Sequence, residues 1–207
     1  MTQKKVRNKK KKKFFLNKPI QENDPIMKIY NLDKFDPKTE DFQLINSSKI
    51  FQKGMKIQPS SVSCLDVTND FTTIAIGLTN GGVILYLGEL ARGRIQTRVL
   101  PTKSTTEITG IGFRPEENGW CLFISTNSIV YRHRITPKGI EIAVDLDSNG
   151  SDKKCSTITN EGDFVVARND GFWFYKPDGK GGCYGFEGNK LLIQWYRNYL
   201  VVLSKIK

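Results

Sequence analysis

Thr73-Ile74-Ala75-Ile76-Gly77-Leu78-Thr79-Asn80-Gly81-Gly82-Val83-Ile84-Leu85-Tyr86-Leu87 holds two short apolar runs around an Asn-Gly pair. Each run has the length and the Ile, Val and Leu content of a strand, and Asn-Gly suits a tight hairpin turn. The same pattern recurs downstream. Cys121 to Ser125 and Ile129 to Arg132 flank Asn127-Ser128, while Phe164 to Ala167 and Phe172 to Tyr175 flank Asp170-Gly171. The three turns lie 47 and then 43 residues apart.

A further strand precedes each hairpin: Val62 to Val67, Ile108 to Phe113 and Cys155 to Ile158, with Leu192 to Trp195 opening a fourth unit. The loops behind these strands carry Asn69-Asp70, Glu117-Asn118-Gly119, Glu161-Gly162 and Arg197-Asn198. Met27 to Leu32, Ile140 to Leu146 and Tyr184 to Phe186 read as fourth strands. A self-similar unit of about 40–50 residues with four short strands is the signature of a propeller blade. The expected fold is therefore all-β: a partial WD40-like β-propeller of about four to five blades over residues 26–207. It would begin on a blade's last strand and stop within another, leaving sticky open edges. A generic β-sandwich, or two small β-domains, is the alternative architecture.

The 207 residues carry a formal charge of +11, unevenly spread. Residues 1–18 hold nine of the 32 Lys and Arg and no acid, so the rest is close to neutral. Residues 1–25 read as a basic, disordered arm that ends in the turn-like Glu22-Asn23-Asp24-Pro25. Lys9, Lys10, Lys11, Lys12 and Lys13 form a candidate polyanion-binding run, suited to nucleic acid, an import receptor or anionic lipid. Such a run binds almost any polyanion at low salt, and only Phe14-Phe15 accompany it, too little for a base-stacking platform.

No apolar stretch approaches the roughly 18 residues of a transmembrane helix, and Phe14-Phe15-Leu16 is too short for a signal-peptide core. Cys64, Cys121, Cys155 and Cys183 lie far apart without a CxxC, and His133 is the only histidine. A zinc site is not expected; the cysteines read as small core residues of a reduced, cytosolic protein, in which the sequons at Asn46 and Asn149 stay unmodified.

Catalytic candidates fall away one by one. Asp178-Gly179-Lys180-Gly181-Gly182 lacks the upstream glycine and the Ser or Thr of a phosphate loop, and Gly110-Ile111-Gly112 is an isolated GxG within a strand. His133, between Arg132 and Arg134, reads as a surface strand residue whose neighbours disfavour its protonation. Glu116-Glu117 falls in a loop, and Asp145 and Asp147 are read on opposite faces, so neither forms an acid/base pair. Trp120, Trp173 and Trp195 read as blade packing. No enzyme, cofactor or metal is expected.

Met27-Lys28-Ile29-Tyr30-Asn31-Leu32-Asp33-Lys34, Ala75-Ile76-Gly77-Leu78-Thr79-Asn80-Gly81 and Gly88-Glu89-Leu90-Ala91-Arg92-Gly93-Arg94 carry a more specific signal. With Ile108-Thr109-Gly110-Ile111-Gly112-Phe113-Arg114, Cys183 to Leu191 and Gln194 to Val202, they resemble, in order and spacing, the N-terminal propeller of the vacuolar protein sorting-associated protein 11 family. Tyr30-Asn31 stands where a WD repeat has Trp-Asp. The resemblance implies a non-enzymatic scaffold of the HOPS and CORVET tethering complexes, peripheral on endosomes and lysosomes or vacuoles. The implied partners are other vacuolar protein sorting subunits and, indirectly, Rab GTPases and SNAREs. It also implies that earlier blades, a helical solenoid and a RING module lie outside this sequence, so the chain reads as an internal piece. The competing expectation is a nucleic-acid-associated WD-type protein acting through its lysine run.

Overall fold

The computed structural model describes residues 25–101 and 103–205, and residues 1–24 of the arm, with its lysine run, lie outside the described residues. The chain opens with a hairpin, β1 (Ile26–Asp36) and β2 (Asp41–Lys49). A four-stranded sheet follows: β3 (Val62–Val67), β4 (Thr73–Leu78), β5 (Val83–Glu89) and β6 (Arg94–Val99). The third sheet contains β7 (Ile108–Glu116), β8 (Gly119–Thr126), β9 (Val130–Thr136), β10 (Gly139–Ile140) and β11 (Val144–Asp147). The fourth comprises β12 (Ser156–Ile158), β13 (Phe164–Arg168), β14 (Gly171–Lys176) and β15 (Gly179–Gly185). A closing hairpin, β16 (Lys190–Tyr196) and β17 (Tyr199–Ser204), makes the fifth.

All pairings are antiparallel and, apart from β9 with β11, join neighbours in sequence, and the first strands β3, β7, β12 and β16 pack one on the next. This is a partial WD40-like propeller, and among the described residues no strand of the fifth sheet pairs with the first.

Four hydrophobic clusters bind the five sheets in order. Ile29 meets Ile74, Ile76, Ile84 and Tyr86 across the first seam. Ala75, Val83 and Leu85 meet Leu122, Ile124 and Tyr131 across the second. Cys121, Phe123 and Val130 meet Phe164, Val166 and Tyr175 across the third, where the rings of Phe123 and Phe164 stack. Val165, Ala167 and Phe172 meet Ile193 across the fourth. Odd and even residues of β4, β8 and β13 thus face different neighbours. Two buried faces explain why these strands read as unbroken apolar runs rather than alternating ones. Each fully buried Ile, Leu or Phe contributes roughly 1.5–3 kcal/mol.

Several expectations need correction. Met27 to Leu32 is the inner partner of a hairpin whose outermost strand, β2, passed unnoticed in a polar stretch. The fourth strand around Ile140 to Leu146 is broken into β10 and β11, both paired with β9, and that around Tyr184 begins at Gly179. The Asn80-Gly81 turn spans four residues, with Gly81 at φ +82, and the last tight turn is Asn169-Asp170, because Gly171 already pairs with Arg168. His133 is not on the surface: it is 1% exposed, its side chain sharing the face of Tyr131 and Ile135. Cys64, Cys121 and Cys155 pack as expected, but Cys183 is exposed on β15. Glu116 ends β7 rather than lying in a loop.

Candidate interaction cleft

Pro137-Lys138 and Pro177-Asp178 form equivalent two-residue turns between the third and fourth strands of their sheets, each followed by a glycine of positive φ. Proline presets the first turn position, so both turns are stiff. Together with the β7–β8 turn they frame a cleft of about 1120 Å³ on one rim, between the third and fourth sheets. Arg114, Arg134 and Lys138 line it with Glu116, Glu117, Glu141 and Asp178; Pro115, Pro137, Pro177 and Ile140 supply apolar surface.

The guanidiniums are held in place. Arg134 Nε lies 3.0 Å from Glu116 Oε2, and Arg114 Nη1 donates to Asp163 Oδ1 at 2.8 Å. Arg132, buried on the same face of β9, donates through Nε to the Pro177 carbonyl, which anchors the turn; its Nη1 has no partner among the described residues. Cys121 sits among these arginines, yet burial, followed by the nearby Glu116 charge, pushes its thiol up to about 12. It is a core group rather than a nucleophile.

The strongest polar knot lies deeper in the same seam. Asp147 Oδ2 accepts hydrogen bonds from Tyr175 Oη at 2.6 Å and Arg168 at 3.2 Å, and an ion pair from Lys180 Nζ at 2.8 Å. Its Oδ1 accepts from the Asn149 N–H at 3.1 Å. Burial alone would raise the carboxyl, but Lys180, Tyr175 and Arg168 outweigh it and hold Asp147 well below the usual carboxylate range. Lys180 Nζ also lies 3.7 Å from the Trp173 ring centroid.

Asp145 turns the other way, to Lys103. Residues two apart on a regular strand share a face; the irregularity between Asp145 and Asp147 separates them. His133 Nδ1 lies 3.0 Å from the Glu141 carbonyl, and burial, more than Lys103 and Arg132, lowers its proton affinity. Its buried Nε2 has no partner among the described residues. Trp120 packs on Phe113, as expected of blade packing. Among the described residues no group of three or more His, Cys, Asp or Glu is placed to hold a metal ion.

Of the cleft residues, sequence alone draws attention to Glu116-Glu117 and Asp178, and only as an acid/base pair and a phosphate loop, both set aside; it does not bring them together with Arg114, Arg134 and Lys138. The signal was there: Thr136-Pro137-Lys138-Gly139 and Lys176-Pro177-Asp178-Gly179 repeat 40 residues apart. The cleft thus combines stiff proline turns with fixed charges of both signs.

A family model described as PEP5/VPS11 N-terminal matches residues 16–207. The chain belongs to this family. The PEP5/VPS11 relatives include the vacuolar protein sorting-associated protein 11 homologs of Mus musculus and Homo sapiens, each 32% identical over 185 residues. These alignments cover 88% of the chain and 19% of each relative. The homolog of Dictyostelium discoideum is 32% identical over 187 residues, 86% of the chain and 19% of the relative. The chain thus spans about a fifth of the length of these PEP5/VPS11 relatives. No helix among the described residues is long and apolar enough to cross a membrane.

Proposed function

We propose that this PEP5/VPS11 chain is a non-enzymatic interaction module of a vacuolar protein sorting subunit. It would act in the HOPS and CORVET tethering complexes during vesicle-mediated transport and membrane fusion at endosomes and lysosomes or vacuoles. The observation that carries the reading is the family match over residues 16–207, reinforced by relatives named for vacuolar protein sorting. The rim cleft gives it a physical means: loops on a rigid β scaffold present fixed polar groups to a partner. Its partners would be other sorting subunits, with Rab GTPases and SNAREs reached through them, and its place the cytoplasmic side of those membranes.

Affinity capture of the tagged chain from cells tests this, with Arg134→Glu/Lys138→Glu as a cleft variant and with residues 1–18 deleted. Sorting subunits should return with the parent and the truncated chain, and less with the cleft variant. Recovery of nucleic acid and its binders alone, lost with residues 1–18, would overturn it in favour of the lysine run.

A further inference from the structure

Asn80-Gly81, Asn118-Gly119 and Asn149-Gly150 are one dipeptide in three surroundings. Asn-Gly is where a chain deamidates without an enzyme, because a glycine with no side chain lets its nitrogen reach the amide carbon of the preceding residue. The rate then depends on whether the two reacting groups, the side-chain amide and the glycine N–H, are already engaged.

Asn80 is locked. Its Nδ2 donates to the Gln58 carbonyl at 3.0 Å, its Oδ1 accepts from the Gly82 N–H at 3.2 Å, and the Gly81 N–H donates to the Leu78 carbonyl at 3.2 Å. All three bonds must break before the ring closes, and at about a factor of five each they slow the reaction roughly a hundredfold. Asn118 has an exposed side chain, but Gly119 is the first residue of β8, held in register with Glu116, and a Cβ on it would meet the Ile135 carbonyl oxygen at 2.1 Å. Its nitrogen does not swing toward the amide without unzipping the end of the hairpin.

Asn149 differs from both. It is exposed in the loop between β11 and β12, and among the described residues neither its amide nor the N–H of the buried Gly150 has a hydrogen-bond partner. The engaged groups of this loop are those that take no part in the reaction. The Asn149 N–H donates to Asp147 Oδ1 at 3.1 Å, while Arg168 donates to the Asn149 carbonyl and, through Nε at 2.8 Å, to the Gly150 carbonyl.

We propose that Asn149 is a site of spontaneous deamidation whose conversion loosens the seam between the third and fourth sheets. The Gly150 nitrogen gives its proton to water and bonds to Asn149 Cγ; the Cγ–Nδ2 bond breaks, and Nδ2 takes a proton from water and leaves as ammonia. Water then opens the succinimide at either carbonyl, leaving aspartate or isoaspartate. Either product adds a negative charge two residues from Asp147. Isoaspartate also routes the main chain through Cβ, lengthening it by one methylene where Arg168 grips two successive carbonyls. Arg168 joins this loop to Asp147 and to Tyr175, so its displacement reaches the polar knot of the seam.

The test ages the full 207-residue chain at neutral pH, folded and, in parallel, unfolded in guanidinium chloride. Peptide mass mapping follows amide-to-acid conversion at the three asparagines. Unfolded, the three should convert at similar rates. Folded, Asn149 should convert first, and Asn80 about a hundredfold more slowly than in the unfolded chain. The melting temperature of the aged chain should fall in proportion to conversion at position 149. Asn149→Gln, whose longer side chain closes the ring far more slowly, should begin at the parent's melting temperature and keep it. Conversion of Asn80 or Asn118 ahead of Asn149, survival of Asn149 in the folded chain while the unfolded sample converts, or conversion at 149 with an unchanged melting temperature would each overturn the proposal.

Discussion

Tyr175 donates its hydroxyl to Asp147 Oδ2 at 2.6 Å, so a side chain of the fourth sheet fixes a carboxylate of the third. Since Asp147 also receives Arg168 and Lys180, one acid ties β11 to β13, β14 and β15. Tyr175→Phe should cost about 1 kcal/mol, one hydrogen bond's net worth, and Asp147→Ala about 3 kcal/mol, because two cations lose their partner in a largely buried site. Urea unfolding of the two variants checks the ranking.

The same carboxylate sets an acid limb. Its folded-state value lies below that of an unfolded Asp, about 3.9. Its contribution is therefore complete above that pH and is lost as pH falls toward the depressed folded value. Melting temperature should drop through this window in the parent chain, and less steeply in Asp147→Asn.

Asp66 behaves oppositely. Burial raises its carboxyl, although the Phe113 N–H donates to Oδ2 at 2.8 Å. A raised value means the folded chain binds the proton more tightly than the unfolded one, so this group favours folding as pH falls and opposes it above its folded value. Asp66→Asn keeps an oxygen for the Phe113 N–H and removes the buried charge. Its stability at neutral pH should equal or exceed the parent's; a loss of more than about 1 kcal/mol on chemical denaturation contradicts this.

Gly81 and Gly54 both hold positive φ, +82 and +93. A Cβ at Gly81 would meet the Ser104 carbonyl oxygen at 2.0 Å, whereas at Gly54 it meets nothing within 4 Å. Gly54→Ala should cost about 1–2 kcal/mol from backbone strain alone. Gly81→Ala should cost clearly more in the same thermal unfolding assay.

Thiol accessibility should separate the cysteines. Cys183 is exposed, while burial pushes Cys64 up to about 11 and Cys121 up to about 12. A maleimide at neutral pH should modify Cys183 within the native state and reach Cys121 only on denaturation, as peptide mass mapping would show.

The intact sheets were legible in sequence because their hairpins alternate apolar runs with Asn, Asp and Gly, and β3, β7, β12 and β16 emerged at the expected places. β2 was not, since Asp41-Phe42-Gln43-Leu44-Ile45-Asn46-Ser47-Ser48-Lys49 has only one packed face and few apolar residues to mark it. His133 was misplaced because its polar neighbours suggested solvent, whereas Arg132 is itself buried and anchored on Pro177. Spacing alone does not reveal which loops converge, so the cleft had to await the fold.

The strands with two buried faces raise a problem of alignment. Where one face is wet, sliding a strand by one residue exposes apolar groups and is heavily penalised. In β4 or β8 such a slip would merely exchange one dry neighbour for another, so polarity gives little guidance. Size supplies it instead. A Cβ at Gly77 would lie 2.7 Å from Ile108 Cγ2, and one at Gly112 would lie 3.0 Å from the Phe164 ring. Gly77 on β4 and Gly112 on β7 are notches cut for particular side chains of the next sheet, and they fix where those two strands must stop.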